Sequence, residues 1–458
     1  MSTATTTVPL ADRISLKEKI AYSFGDAASN FYWKTFESFL MFFYTDVFGI
    51  SAAAVGTMLL VTRVADAVAD PTMGAIADRT KTRWGHFRPY VLWFAVPLAV
   101  AGVLTFTTPH IGSGAKLVYA YITYSLLMFL YTAVNIPYTA LMGVMTPNSQ
   151  ERTSISSIRF FGAFTAGAFV QYFTRWFVKF FGNGNDERGW QLTMVLYGVL
   201  AVILLVLCFS ITRERVGPPP QQHSDLKRDL GDLFGSRPWL VLAGVLLLVL
   251  AAFAIKGSVS IYYFKYFVGR EDLVGAFLVS NGLAFLAAVS ITSRMAKWFG
   301  KKPLFMFAIG VGGLIVAGFC LAGPSDLWLI FALQIVSSFV IGFNSPLVFA
   351  MFADTADHAE WRTGRRTTGL VFASAIFATK IGAAIGGLMA GLILAYFGFV
   401  ANVGQTVHSI HGIILCMSWI PCALMVLAAA TMMLYPLDDP LMVKIEGELK
   451  ARRGEVEA

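Results

Sequence analysis

Twelve apolar stretches, most of them about 20 residues or longer, follow one another along this chain with short polar loops between them. About 20 apolar residues cross a hydrocarbon layer roughly 30 Å thick, because a helix rises about 1.5 Å per residue. The stretches fall near 20–48, 52–77, 88–108, 116–143, 155–181 and 190–212, then near 239–267, 273–298, 303–321, 327–352, 367–397 and 409–435. No water-facing surface is compatible with them: 57% of the residues are hydrophobic and 14% are charged, against roughly 45–50% and about 25% in soluble domains. A mean hydropathy of +0.66 leads to the same place. Disorder, coiled coil, collagen and a disulfide scaffold are excluded on these numbers. Cys208, Cys320, Cys416 and Cys422 lie inside apolar runs without ligand or redox spacing, so they read as small core residues. The expectation is an all-α polytopic membrane protein with twelve transmembrane helices.

The only long polar stretch, Arg213 to Arg237, contains Pro218, Pro219 and Pro220 and then a charged run beginning at Asp225. It reads as a linker, with a short interfacial helix near Leu226–Phe234. The expected organisation is therefore an N-terminal tail over 1–19, a six-helix bundle over 20–212, a linker over 213–238, a second bundle over 239–435 and a tail over 436–458. No apolar core precedes Ile20, so no cleavable signal peptide is expected. Basic residues concentrate in alternate loops: Arg79, Lys81, Arg83 and Arg88, then the linker, then Lys297, Lys301 and Lys302, then Arg362, Arg365 and Arg366. By the positive-inside rule these loops, the linker and both termini are cytoplasmic. The net charge of +8 is thereby assigned to membrane orientation and not to nucleic-acid binding. The two halves also echo one another. Gly85-His-Phe-Arg88-Pro89 follows the second stretch and Gly300-Lys-Lys302-Pro303 the eighth, as a parallel duplication or chance similarity between basic loops would leave.

Charges within the apolar runs are the functional candidates, since one at mid-bilayer costs about 2.5–3.5 kcal/mol even on the insertion scale. In the first helix Asp26, Asn30, Trp33 and Glu37 fall within a stripe of roughly 60°. Lys34 borders it and reaches Glu37 at i+3, either as a structural pair or as a substrate contact. The second helix carries Arg63, Asp66 and Asp70, the two carboxylates sharing one face at i, i+4. Paired carboxylates in a low dielectric resist double ionisation, which suits a proton carrier or a cation site, although Asp70 could also cap a helix end. The fourth helix offers Tyr131, Thr132, Asn135 and Tyr138. The fifth begins with Arg152 and Arg159, the seventh holds Lys256 and the eleventh Lys380. Lys380 is expected to pair with Asp66 or Asp70, and Lys256 with Glu37. The cluster Asp354, Asp357, Glu360 and Arg362 lies where the tenth helix meets the cytoplasm, as a solvated loop or as a gate pairing Asp354 with basic residues of the other half. No phosphate loop, HExxH or GxSxG in context is present, the histidines are scattered, and neither catalysis nor a metal site is expected.

The runs Ala21-Tyr-Ser-Phe-Gly-Asp26-Ala-Ala-Ser-Asn30, Phe43-Tyr-Thr-Asp46-Val and Arg63-Val-Ala-Asp66-Ala-Val-Ala-Asp70-Pro71 carry a resemblance, as do Thr82-Arg-Trp-Gly-His-Phe-Arg88-Pro89, Asn135-Ile-Pro137-Tyr, Glu151-Arg152 with Arg159-Phe-Phe, and Ala353-Asp354 with Glu360-Trp361. Over residues 16 to 440 the chain resembles the glycoside–pentoside–hexuronide:cation symporters, the group of the melibiose and glucuronide permeases. The resemblance implies a major facilitator fold of two pseudo-symmetric six-helix bundles, working by alternating access in the plasma (inner) membrane. It implies a cation site at Asp66, Asp70 and Thr132. There Ala69 stands where the melibiose branch has an Asn, which favours H⁺ over Na⁺. It places sugar contacts at Asn30, Asn135, Arg159 and the region of Thr139 and Ser345. Asn at 30 and 135, where the melibiose branch has aspartates, argues against an α-galactoside and leaves room for a hexuronide, pentoside or oligosaccharide.

The expected function is thus a sugar or glycoside symporter driven by H⁺ or Na⁺, without cofactor, acting as a monomer in the lipid bilayer. Asp66, Asp70, Thr132 and Lys380 are expected to couple the cation. Asp26, Asn30, Trp33, Lys34, Glu37, Asn135, Tyr138, Arg159, Lys256 and Ser345 are expected to face substrate. Asp78, Arg79, Arg88, Arg152, Asp354, Asp357 and Glu360 are the expected cytoplasmic gate. The alternatives are a lysolipid-type symporter of the same fold and a membrane sugar sensor that does not transport.

Overall fold

Backbone N–H and C=O groups facing lipid have no water to bond, so each apolar run must satisfy them internally as a helix. The computed structural model describes residues 14–146, 149–215, 231, 233–363 and 368–452, and among them there are helices, turns and one isolated Thr82–Gly85 bridge, with no strand. The tail before residue 14, the linker over 216–230 with Lys227 and Arg228, and Arg365 and Arg366 lie outside the described residues.

The helices are α1 (Leu16–Phe42), α2 (Ala52–Arg79), α3 (Arg88–Trp93), α4 (Ala95–Thr105), α5 (Ser113–Met145), α6 (Ser149–Gly182) and α7 (Asp186–Ile211). They continue as α8 (Arg237–Tyr262), α9 (Val274–Phe299), α10 (Lys301–Ala317), α11 (Leu327–Gly342), α12 (Asn344–Thr363), α13 (Thr368–Tyr396), α14 (Val407–Met417), α15 (Trp419–Met432) and α16 (Asp439–Arg452). Ser15 starts α1 by accepting the Glu18 N–H at 3.2 Å. Single-turn π-segments, Phe43–Val47 and Tyr263–Val268, extend α1 and α8.

Three of the expected spans are broken, and proline chemistry locates each break. Proline has no N–H and its ring crowds the carbonyl four residues earlier. α3 ends at Trp93, α11 at Gly342 and α14 at Met417, four residues before Pro97, Pro346 and Pro421. Counting α3–α4, α11–α12 and α14–α15 as one rod each, and leaving aside the polar α16, gives twelve rods among the described residues. Pro71 and Pro137 are instead carried inside continuous helices. Nine segments among the described residues are long and apolar enough to span by length and composition alone. The other three rods are the broken α3–α4 and the charge-bearing α1 and α6.

The chain forms two compact units. One comprises Met1–Ile50 and Ala65–Gln221; the other comprises Ser51–Val64, the first part of α2, with Gln222–Ala458. In the first, α1 packs along α6 and α7, with Trp190, Tyr22, Tyr32 and Tyr138 fully buried. In the second, α8 packs along α13 with the backbones almost touching. A Cβ added at Gly386 would fall 2.5 Å from the Ala251 carbonyl oxygen, and one at Gly382 would fall 2.7 Å from that of Leu247. Glycines one turn apart permit such an approach in lipid, where hydrophobic burial gives little reason for helices to associate.

The end of α7 is fastened to the α2–α3 turn. Glu214 accepts the backbone N–H groups of His86 and Phe87 at 2.8 Å and of Arg88 at 2.9 Å. Gly85, at φ +109°, allows the turn, and a side chain there would strike the Glu214 carboxylate. Glu214→Ala removes three charge-assisted bonds and is expected to cost about 2 kcal/mol, read as a lowered melting midpoint of the purified carrier, with Glu214→Gln between the two.

Candidate functional site

The first unit carries its embedded charges on α1, α6 and the part of α2 from Ala65 onward, with α5 supplying polar neighbours. Arg159 Nε donates to Asp26 Oδ2 at 2.8 Å, both side chains largely buried. Asn30 donates its side-chain N–H to the Asp26 carbonyl at 2.8 Å. One and two turns further, Lys34 Nζ donates to Glu37 Oε2 at 2.6 Å. Trp33 stacks on Tyr131 of α5 with centroids 6.0 Å apart. The stripe expected on α1 is therefore one continuous polar face of neutralised pairs.

Tyr138 has a different place from the one expected. Its ring is fully buried, stacked on Tyr22 at 4.6 Å, and the two hydroxyls cross-bond: Tyr22 to the Tyr138 carbonyl at 3.1 Å, Tyr138 to the Tyr22 carbonyl at 2.8 Å. The Arg159 guanidinium lies 5.4 Å from the same ring. Tyr138 thus steadies Arg159 and has no face left for a ligand. Gly25 makes room for this stack, since a Cβ there would overlap the Tyr138 ring. Asn135 is half-buried one turn before Thr139, whose hydroxyl approaches Asn135 Oδ1 at 3.3 Å.

Asp66 and Asp70, one turn apart on α2, meet Thr132 of α5. The Thr132 hydroxyl lies 2.5 Å from Asp66 Oδ1 and 3.2 Å from Asp70 Oδ1. Asp66 is buried and Asp70 half-buried. A hydroxyl owns one hydrogen and can donate to one carboxylate at a time. Three oxygens, from two helices, thus converge at one point.

In the second unit Lys256 Nζ donates to Gln334 Oε1 at 2.6 Å and lies 4.7 Å from the Phe319 ring centre. Lys256 and Glu37 were expected to pair; each instead has a partner within its own unit. Ser338, one turn after Gln334, donates to Asn281 Oδ1 of α9 at 2.6 Å. Gln334, Ser338 and Asn281 are missing from the sequence reading, although Gln334 stands out as the lone amide in Leu327–Gly342. Lys380 and Ser345 are half-buried, on α13 and at the start of α12.

The expected gate residues divide by contact. Lys301 of the same unit grips both Asp354 oxygens, at 2.8 and 2.6 Å, while its backbone N–H bonds Asp439 at 3.2 Å. Trp361 donates to Glu448 at 2.6 Å, tying α16 to α12. Arg88 donates to the Phe209 carbonyl at 2.7 Å and lies over the Phe209 ring. Asp78, Arg79 and Arg152 are exposed, while Asp357 and Glu360 are half-buried on α12. Glu18 binds Arg215 through two bonds of 2.7 and 2.8 Å, and Glu151 binds Lys19 at 2.9 Å. Glu18 is absent from the sequence reading, and Glu151 enters it only as part of a family motif.

The sequence matches the family described as MFS/sugar transport protein over residues 21–439. It is 36% identical over 447 residues to a putative glycoside/cation symporter of Escherichia coli, covering 97% of each chain. It is 36% identical over 434 residues to an isoprimeverose transporter of Lactiplantibacillus pentosus, covering 93% of this chain and 90% of that one. Among solved structures, that of a D-xylose–proton symporter superposes with a TM-score of 0.64 at 16% identity, over 91% of this chain and 96% of the other.

Proposed function

The chain belongs to the MFS/sugar transport family, in its glycoside–pentoside–hexuronide:cation symporter branch, and from that premise we propose that it carries a sugar or glycoside into the cell together with a proton by alternating access. The convergence of Asp66, Asp70 and Thr132 carries this reading. Ala69 adds no side-chain oxygen to that group, which favours H⁺ over Na⁺.

A proton shared by Asp66 or Asp70 lowers the negative charge of the site. Sugar hydroxyls then bond to Asn30, Asn135 and the terminal nitrogens of Arg159, whose Nε is held by Asp26. Trp33, braced by Tyr131, offers a flat apolar surface to a pyranose ring. Lys34 and Glu37 supply further polar groups on the same helix face. A carrier empty or doubly loaded changes state more readily than one holding sugar or proton alone, because only the latter leaves a charge or a polar surface uncompensated. The Lys301–Asp354 pair, with Asp78, Arg79, Arg88, Arg152, Asp357 and Glu360, forms the gate on the cytoplasmic side, where both termini lie. The carrier works as a monomer in the inner membrane.

Counterflow of labelled glycosides in proteoliposomes tests the reading. Exchange of at least one pentoside, hexuronide or oligosaccharide is expected, with accumulation driven by an imposed pH gradient. Binding without exchange is the behaviour of a sensor, and inhibition confined to lysolipids that of a lipid carrier; either contradicts it. A neutral sugar carried with one proton also feels the membrane potential, and about 150 mV would sustain roughly a 300-fold gradient. Lys301→Ala removes the ammonium held by both Asp354 oxygens and is expected to alter transport rate more than sugar affinity, read as kcat against KM.

A further inference from the structure

The cations at depth in the first unit are neutralised, Arg159 by Asp26 and Lys34 by Glu37. Lys256 differs. Among the described residues its contacts are the neutral amide of Gln334 and the ring of Phe319. An ammonium in the low-dielectric interior without a carboxylate keeps most of its desolvation cost, which a counter-anion would relieve.

The surrounding groups have the matching bias. An ammonium only donates, so Gln334 must present its oxygen to Lys256, leaving its N–H₂ as two donors. Asn281 is in the same position, its oxygen taken by Ser338 and its N–H₂ free to donate. Gln334 and Ser338 stand at i, i+4 on one face of α11, so both donor groups and Lys256 belong to one polar patch. Both amide oxygens are engaged, while the amide N–H groups remain as donors. Gln334 and Ser338 are almost completely buried and Lys256 is half-buried. Such a patch suits an acceptor-only ligand group.

We propose that Lys256 and Gln334, supported by Asn281 and Ser338, form an anion seat for the carboxylate of a sugar acid. The seat rests on the sugar-symport reading and narrows it to an anionic substrate. A sugar acid brings the charge that Lys256 lacks and accepts from the ammonium and the Gln334 amide together. A neutral sugar leaves the ammonium uncompensated.

The test uses the full-length carrier in proteoliposomes and two sugars that differ only at C6, methyl β-D-glucuronide and methyl β-D-glucoside, with half-saturating concentrations read by counterflow. The unmodified carrier is expected to prefer the glucuronide. Lys256→Gln is expected to shift the glucuronide-to-glucoside selectivity ratio by about 10- to 100-fold, the range for one charge-assisted bond. Lys256→Arg, which keeps the charge, is expected to retain most of the preference. Gln334→Leu is expected to move the ratio in the same direction by about tenfold, and it keeps the test open where Lys256→Gln fails to fold. Preference of the unmodified carrier for the glucoside, or equal losses for both sugars in variants that still exchange, would overturn the seat and leave sugar symport standing. Exchange of neither sugar, nor of any other glycoside, by the unmodified carrier overturns the symport reading and the seat with it.

Discussion

Asp66→Asn vesicles are expected to exchange sugar yet fail to accumulate it, the steady-state ratio dropping towards 1 under an imposed pH gradient and, for a neutral sugar, falling from as much as about 300 at about 150 mV. Asparagine keeps the size of the side chain and a donor–acceptor pair for Thr132, so the α2–α5 contact survives. It cannot release a proton. A carrier fixed in the neutral form of this site can still cycle with sugar bound, but nothing ties each crossing to an ion. Thr132→Ala, which removes the oxygen between the two carboxylates, is expected to weaken coupling, and Thr132→Ser to restore it. Full accumulation by Asp66→Asn would remove Asp66 from the coupling role.

The second large effect is expected at the Arg159–Asp26 pair. Arg159→Leu strands the buried Asp26 carboxylate, and losing one partner of a buried pair typically costs about 3–5 kcal/mol. The folded yield in detergent should fall accordingly. Asp26→Asn with Arg159→Gln removes both charges and is expected to recover most of that yield while leaving sugar affinity low. Recovery of affinity together with yield would make the pair purely structural. Tyr138→Leu, which takes away the ring beneath the guanidinium and the cross-bond to Tyr22, is expected to reduce affinity through Arg159 without a contact of its own.

Much of this arrangement is legible in the sequence because the physics behind it is coarse. Hydropathy finds the twelve rods since lipid demands a minimum length of apolar helix. Asp26, Asp66, Arg159 and Lys256 announce themselves because a charge at depth is expensive. Partners are harder. The Lys34–Glu37 pair is local and follows from helical spacing. Lys256 meets Gln334, 78 residues away, through packing that no periodicity encodes. A search confined to charges passes over Gln334, Asn281 and Ser338, since an amide or hydroxyl is cheaper to embed than an ion. The burial of Tyr138 is hidden for a related reason: sequence shows an aromatic beside Asn135 but not that Tyr22 covers its ring. The breaks at Trp93, Gly342 and Met417 could have been placed from the prolines four residues on. Pro71 and Pro137, held inside continuous helices, show why proline alone does not decide.

The coupling claim meets its most direct test in ion movement itself. In lightly buffered, voltage-clamped proteoliposomes, adding a transported sugar should make the external medium alkaline as protons enter with it. The signal should vanish in Asp66→Asn vesicles that still exchange the same sugar. Sugar entry with no proton uptake in the unmodified carrier, or an undiminished proton signal in Asp66→Asn, would contradict the assignment of the Asp66–Asp70–Thr132 cluster as the place where ion and sugar transport are joined.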